Sequence, residues 1–203
     1  MTAVTGFSRK LPPAGALEYQ PGFLGGAEAD DLFDRLHEEL DWEHREIRMF
    51  GRRVAQPRLT AWYGDPGVGY SYSGTRWAAD GWHELLESLR DRLESKTRVR
   101  FNSVLCNLYR NGDDAMGWHA DNERELGPQP VIASISLGQV RRFSLRPRDR
   151  HRSPLHLEPG HGSLLIMSGD LQQHWLHSLP RSRRPMNPRI NLTYRQVLSG
   201  DSW

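Results

Sequence analysis

One cysteine, Cys106, occurs in 203 residues. No internal disulfide can form, so the fold must rest on packing, and the chain suits a reducing, intracellular setting. A lone cysteine of this kind is expected to be a small buried residue rather than a catalytic thiol. No apolar run is long enough to span a bilayer, and no membrane partner is expected. Met1 to Pro13 lacks the charged start, apolar middle and small-residue cleavage site of a secretory signal. Charge of one sign is also lacking: 27 Lys and Arg stand against 25 Asp and Glu, a net of +2. Net charge alone therefore names no partner. No internal repeat or low-complexity tract is present, and the length suits one domain, residues 1–203, with a substantial core.

What is present divides into a helical front and a β-rich back. Ala27 to Leu40 carries Leu32, Leu36 and Leu40 at helical spacing, with acidic residues between. Asp80 to Thr97 carries Leu85, Leu86, Leu89 and Leu93 on one side, with Asp80 as its N-cap. Arg58 to Tyr63 predicts a strand, and Gly64 to Gly69 a turn. From Phe101 onward, short strands alternate with turn residues. Val131, Ala133, Ile135 and Leu137 interleave with Ser134 and Ser136, although Ile132 blurs the contrast. Phe143 and Leu145 interleave with Arg142, Ser144 and Arg146, and Gly162 to Met167 is an apolar run buried on both faces. The fold class is mainly β with flanking helices, an α+β chain whose strands form a sandwich or barrel.

The chemistry is concentrated late. His119, Asp121 and His177 offer two imidazoles and one carboxylate, the set that binds one face of an octahedral metal and leaves the other open. Non-haem Fe(II) oxygenases use such a set. Arg189, Asn191, Thr193 and Arg195 are spaced by two, as are Ile190, Leu192 and Tyr194, so on a strand they face opposite sides. Two guanidiniums beside a metal suit a dicarboxylate co-substrate, because the guanidinium fork matches carboxylate geometry. Asn107 and Tyr109 repeat this spacing, as do His119 and Asp121, which can point to one metal. His174 competes with His177, and spacing alone does not exclude it. His151, His156 and His161 are expected to be surface or turn residues. Zinc is an alternative, but a four-coordinate catalytic zinc would leave the arginine row without a purpose.

These stretches resemble the AlkB-type Fe(II)/2-oxoglutarate-dependent dioxygenases, in the branch that repairs alkylated nucleic acid. The resemblance lies in Phe101 to Tyr109, Trp118 to Glu123, Ile132 to Gly138, His161 to Met167, His174 to Pro180 and Pro188 to Arg195, with Gln56 to Gly64 and Tyr70 to Gly74 also similar. It implies a double-stranded β-helix, or jelly-roll, core over residues 101–198. Residues 1–100 would form an N-terminal extension and a nucleotide-recognition lid. It further implies that His119, Asp121 and His177 hold Fe(II), that Asn107 and Tyr109 contact 2-oxoglutarate, and that Arg189 pairs with its far carboxylate. Arg195 would lie near the carboxylate at the metal end, with Asn191 and Thr193 beside it. The implied reaction consumes O2 and 2-oxoglutarate and removes N-methyl groups of the 1-methyladenine and 3-methylcytosine type, releasing formaldehyde, succinate and CO2.

A base must leave the duplex to reach a buried metal. Tyr70, Tyr72 and Ser73 resemble the family's recognition lid, where an aromatic ring would stack on the flipped base opposite His119. Met49-Phe50-Gly51, flanked by Arg48, Arg52 and Arg53, suits a wedge that fills the gap left by that base, with Phe50 as its tip. Arg146 to Arg152 resembles a basic loop set against the opposite strand, and Arg181 to Arg184 is a further basic cluster. Asn122 and Glu123 would read the base. Asn122 stands where family members often carry an acid, which weakens attraction for a cationic lesion. Wedge and loop favour double-stranded DNA, whereas Arg58 to Gly64 and Phe101 to Arg110 resemble more closely the member that prefers single strands and RNA. The expected partner is alkylated DNA, double- or single-stranded, with RNA as an alternative substrate. A non-catalytic binding module on the same fold is the alternative of another class. The chain is expected to act as a monomer, cytoplasmic in a prokaryote or nuclear in a eukaryote.

Overall fold

Residues that alternate in polarity from Phe101 onward build strands whose two faces meet different neighbours. The computed structural model describes residues 5–49, 52–72, 75–79, 81–149 and 152–198. Its elements are β1 (Phe7–Leu11), β2 (Gly15–Gln20), α1 (Gly26–Glu39), β3 (Glu46–Met49), β4 (Arg52–Ala55), β5 (Leu59–Gly64), β6 (Gly69–Tyr72), β7 (Thr75–Ala78) and α2 (Glu84–Thr97). There follow β8 (Ser103–Tyr109), β9 (Met116–His119), β10 (Ile132–Gly138), β11 (Phe143–Pro147), β12 (Leu155–Leu157), β13 (Ser163–Gly169), α3 (Leu171–His174), β14 (Trp175–Leu179) and β15 (Arg189–Arg195). A seven-stranded antiparallel sheet runs β1-β2-β13-β10-β15-β8-β5, and a four-stranded sheet runs β12-β11-β14-β9. β3-β4 and β6-β7 are separate hairpins.

The large sheet has an outer and an inner face. Outward, Val104, Cys106, Leu108, Ala133, Ile135, Leu137, Ile190, Leu192 and Tyr194 pack against Leu32, Leu36, Leu86, Leu89 and Leu93 of the two long helices. Inward, Leu17, Ile132, Leu165 and Met167 pack against Leu145 and Trp175 of the small sheet. Two antiparallel sheets facing one another give the jelly-roll core. Ile132 disturbs the sequence pattern because it is the apolar end of an inner face that turns polar at Ser134 and Ser136. β13 is buried on both faces, as its unbroken apolar run requires.

Two expectations need correction. The front of the chain is not chiefly helical, since β1 to β7 all precede α2. β1, β2 and β5 join the large sheet, which therefore draws on both halves of the chain. β1 is an edge strand with three consecutive exposed residues, so it has no alternation to read. α2 also starts at Glu84, and Asp80 lies outside the described residues. His83 is the N-cap, its Nδ1 accepting from the Leu85 amide at 3.3 Å. The Trp82 indole donates to Asp65 at 2.7 Å, and Gly81 sits at φ +142, holding the chain out of the helix before that point. Among the described residues no helix is long and apolar enough to cross a membrane.

Tyr194 is the largest fully buried side chain, and its hydroxyl donates to the Leu86 carbonyl at 3.0 Å. Ile135→Ala should cost about 2–5 kcal/mol, because a cavity opens between helix and sheet. Tyr194→Phe should cost roughly 1 kcal/mol, the value of one hydrogen bond. Urea unfolding of the two variants checks the order; a Tyr194 loss as large as the Ile135 loss would contradict it.

Candidate active site

The two histidines meet because β9 and β14 pair antiparallel with His119 directly opposite His177. Their ring centroids are 4.1 Å apart, and Phe143 packs on His177 at 5.4 Å. Asp121 lies two positions past the end of β9, so strand alternation does not aim it, contrary to the spacing argument. It converges nonetheless: one ligand atom from each of His119, Asp121 and His177 falls within 4.8 Å of the others. His174 ends α3 and is not part of this cluster. The His119 Nδ1 lies 2.9 Å from the Gly117 carbonyl. A carbonyl only accepts, so Nδ1 carries the proton and Nε2 keeps its lone pair for a metal.

β15 and β8 supply the floor of the same pocket, which Asn107, Tyr109, Arg189, Asn191, Thr193 and Arg195 all line. Register sets Arg189 opposite Tyr109 and Asn191 opposite Asn107. Arg195 donates to Asp121 Oδ1 at 2.8 Å, with both groups almost fully buried. Asn191 donates to Ser134 Oγ at 2.7 Å and accepts from Thr193 at 3.2 Å. Arg189 is 2% exposed and donates from Nη2 to Ser136 Oγ at 2.9 Å. Its Nε and Nη1 are buried with no hydrogen-bond partner among the described residues. Buried donors of a charged group left without acceptors are costly. A carboxylate seated there would satisfy both.

The protonation states suit metal binding. Desolvation lowers the His177 pKa to about 3, and the neighbouring His119 adds to this. His119 is lowered for the same first reason, with Arg58 and Arg195 contributing and Asp121 opposing. Burial alone would raise Asp121, but Arg195, His177 and His119 outweigh it and hold the carboxyl at about 2. Neutral imidazoles and an ionised carboxylate are the forms that ligate. Burial lowers Arg189 to about 10, still cationic at neutral pH.

Three side chains here were missed by reading the sequence. Gln172 is 1% exposed; its Oε1 accepts from the Asp121 amide at 3.0 Å, and its Nε2 meets Met167 Sδ at 3.6 Å. It thus fixes the backbone of a ligand that no strand ladder holds. Arg58, also buried, donates from Nε to Asn107 Oδ1 at 2.7 Å, and Ser136 positions Arg189. Of the substrate-side expectations, Phe50 and Ser73 lie outside the described residues. Tyr70 and Tyr72 stand two positions apart on β6, which pairs antiparallel with β7 in the register Tyr70 to Trp77 and Tyr72 to Thr75. Asn122 is exposed and Glu123 partly buried beside Asp121. Arg146 stands 4.3 Å over the ring of Trp118, which is 41% exposed. His156 meets Ser144 Oγ at 3.0 Å, and His161 accepts from the Gly138 amide at 2.8 Å.

The sequence profile of the 2OG-Fe(II) oxygenase superfamily matches residues 16–195. The chain belongs to that superfamily. Within it the similarity is to AlkB-type dioxygenases. The human alpha-ketoglutarate-dependent dioxygenase alkB homolog 3 is 40% identical over 190 residues, 87% of this chain and 64% of the relative. The human DNA oxidative demethylase ALKBH2 is 40% identical over 185 residues, 86% of this chain and 71% of the relative. A protein of the same name from Arabidopsis thaliana is 34% identical, covering 90% of this chain and 66% of its own length. The chain therefore spans a little under two thirds of the alkB homolog 3 protein. A 2OG-Fe(II) oxygenase family oxidoreductase from Burkholderia pseudomallei superposes with TM-score 0.60 at 17% identity, covering 88% and 84% of the two chains. OsALKBH1 does so with TM-score 0.58 at 18% identity, covering 93% and 99%. These two likenesses speak for the fold alone. The site fits both groups in the superfamily's name: the triad matches a divalent metal, and the partnerless Arg189 donors match a dicarboxylate.

Gln172→Ala should lower affinity for a divalent ion by about 10–100-fold, the usual effect of removing a group that orients a ligand. Titration with Co(II) measures it, and unchanged affinity would deny Gln172 that role. In the metal-free protein the unfolded chain takes up protons that the folded site refuses. His177 therefore contributes stability that falls as pH drops from the ordinary 6.5 toward 3, and Asp121 adds a further fall toward pH 2. Denaturant titrations from pH 7 to 4 should show a shallower decline in His177→Gln than in the wild-type protein; equal slopes would contradict the assignment.

Proposed function

We propose that this protein oxidatively demethylates N-alkylated bases in DNA, with Fe(II) held by His119, Asp121 and His177 and 2-oxoglutarate as co-substrate. The observation that carries this reading is one pocket containing both a compact His/Asp/His cluster and a buried guanidinium with two unsatisfied donors. The names of the similar human proteins supply the substrate class. When bound, iron and 2-oxoglutarate would supply, with O2 as the oxidant, hydroxylation of the N-methyl group: one oxygen atom goes into succinate as CO2 leaves, the other into a hydroxymethyl adduct that releases formaldehyde. Arg189 anchors the far carboxylate of 2-oxoglutarate, with Asn107 and Tyr109 beside it. Arg195, with Asn191 and Thr193 next to it, holds Asp121 in its ionised form and sets its carboxylate plane. Phe143 packs on His177 and limits water at the ligand. Tyr70, Tyr72 and Ser73 form the lid over the flipped base, and Asn122 and Glu123 read its edge. Phe50, which falls between β3 and β4 in the sequence, is the residue proposed to fill the vacated stack.

The test is turnover of matched single- and double-stranded oligonucleotides, each bearing one 3-methylcytosine, read by mass spectrometry. The expected result is loss of one methyl mass that requires 2-oxoglutarate. His119→Ala and Arg189→Ala should each reduce turnover more than a hundredfold, on the order of the several kcal/mol lost with a metal ligand or a buried charge-assisted contact. Phe50→Ala should impair duplex repair more than single-strand repair, and equal losses would remove the wedge. Succinate formation without methyl loss would mean an oxygenase of another substrate, with methylated RNA tried next. DNA binding without succinate in metal-loaded protein would mean a binding module.

A further inference from the structure

Arg141 is 2% exposed, as buried as Arg189. Its guanidinium donates to three backbone carbonyls: Asn111 from Nη1 at 2.9 Å, and Asp114 and Pro180 from Nη2 at 3.0 and 2.9 Å. No carboxylate comes within ion-pair distance of it among the described residues. The acid in the adjoining loop, Asp114, is already taken by Arg110 in a bidentate pair of 2.8 and 2.9 Å, and it accepts a third bond from the Arg110 amide at 2.9 Å. Carbonyl dipoles satisfy the hydrogen bonds of Arg141, but burial still lowers its pKa, and Asp114, engaged by Arg110, offsets its charge only in part.

That charge sits beside the co-substrate pocket. Arg141 lies 6.0 Å from the Tyr109 ring centroid and Arg189 lies 5.5 Å from it. Two buried guanidiniums thus flank one tyrosine, at the end of β8 where the far end of a dicarboxylate is to be bound. Like charges repel more strongly at low dielectric, and Arg141 accordingly helps depress the Arg189 pKa, after burial itself. An incoming carboxylate relieves that repulsion as well as filling the empty donors of Arg189. A co-substrate without that carboxylate relieves neither.

We propose that Arg141 is a specificity-determining residue for the co-substrate, its unpaired charge beside Tyr109 favouring 2-oxo acids that end in a second carboxylate. It acts through the field it adds to Arg189, and so is a positioning residue rather than a ligand. The inference rests on the 2-oxoglutarate reading above but not on the nucleic-acid substrate.

The test measures binding to Mn(II)-loaded protein by calorimetry, without turnover. The ligands are 2-oxoglutarate and 2-oxopentanoate, which has the same chain length and lacks the far carboxylate. Arg141→Gln should weaken 2-oxoglutarate about tenfold and 2-oxopentanoate less than twofold. Arg141→Lys keeps the charge while losing the fork, and should hold the wild-type preference within about twofold. Equal weakening of both ligands in the Gln variant, or no change in either, would mean that Arg141 only staples the loops. A collapsed preference in the Lys variant would overturn the proposal even if the Gln variant does not fold. A wild-type protein with no preference between the ligands would overturn both this proposal and the 2-oxoglutarate reading, whereas absence of methyl loss from DNA would leave this one standing.

Discussion

β15 lies near the middle of the large sheet, buried on both faces, and on its inner face it carries two guanidiniums. Everything around the site answers that constraint. Burying a charge costs several kcal/mol unless an opposite charge or a full set of hydrogen bonds meets it. Arg195 is met by Asp121. Among the described residues Arg189 hydrogen-bonds only the Ser136 hydroxyl, and Arg141 near it only backbone carbonyls. The pocket thus holds more positive than negative charge when empty, and the fold tolerates this because the outer face of β15 is anchored by Ile190, Leu192 and Tyr194 against two helices. The apolar half of one strand stabilises what its polar half destabilises.

The same division explains how the ligands are held. His119 and His177 need no special support, because a strand pair sets them face to face. Asp121 lies off the ladder and depends on two side chains from distant parts of the chain. Gln172 secures its backbone and Arg195 its carboxylate. Gln172 sits in α3, immediately before β14, so the segment delivering the third ligand also restrains the second.

Much of this could be read from the sequence where one strand settles the matter. The two-residue rhythm of Arg189 to Arg195 sorted its side chains correctly between pocket and core, as did Asn107 and Tyr109 on β8. The family resemblance set His177 above His174, a choice that spacing alone left open. Reading failed where a contact depends on register between remote segments. Arg58 to Asn107, Gln172 to Asp121 and Arg141 to Pro180 each join residues whose adjacency appears only after the sheets assemble. β1 was invisible for a different reason: Ser8, Arg9 and Lys10 are all exposed and Leu11 alone is buried, so the edge strand leaves no period. The helix start at Glu84 escaped because His83, not an acid, is the cap.

Cys106 offers an internal reporter. It sits mid-strand in β8, between β15 and β5 in the large sheet and under the helices, fully buried. Burial pushes its thiol well above the usual range, so the reactive thiolate is almost absent in the folded chain. A thiol reagent reaches it only when the sheet parts from its helical cover, an event that approaches global unfolding. With no second thiol in the sequence to compete, the rate of labelling at this one atom becomes a clock for how often the whole molecule opens.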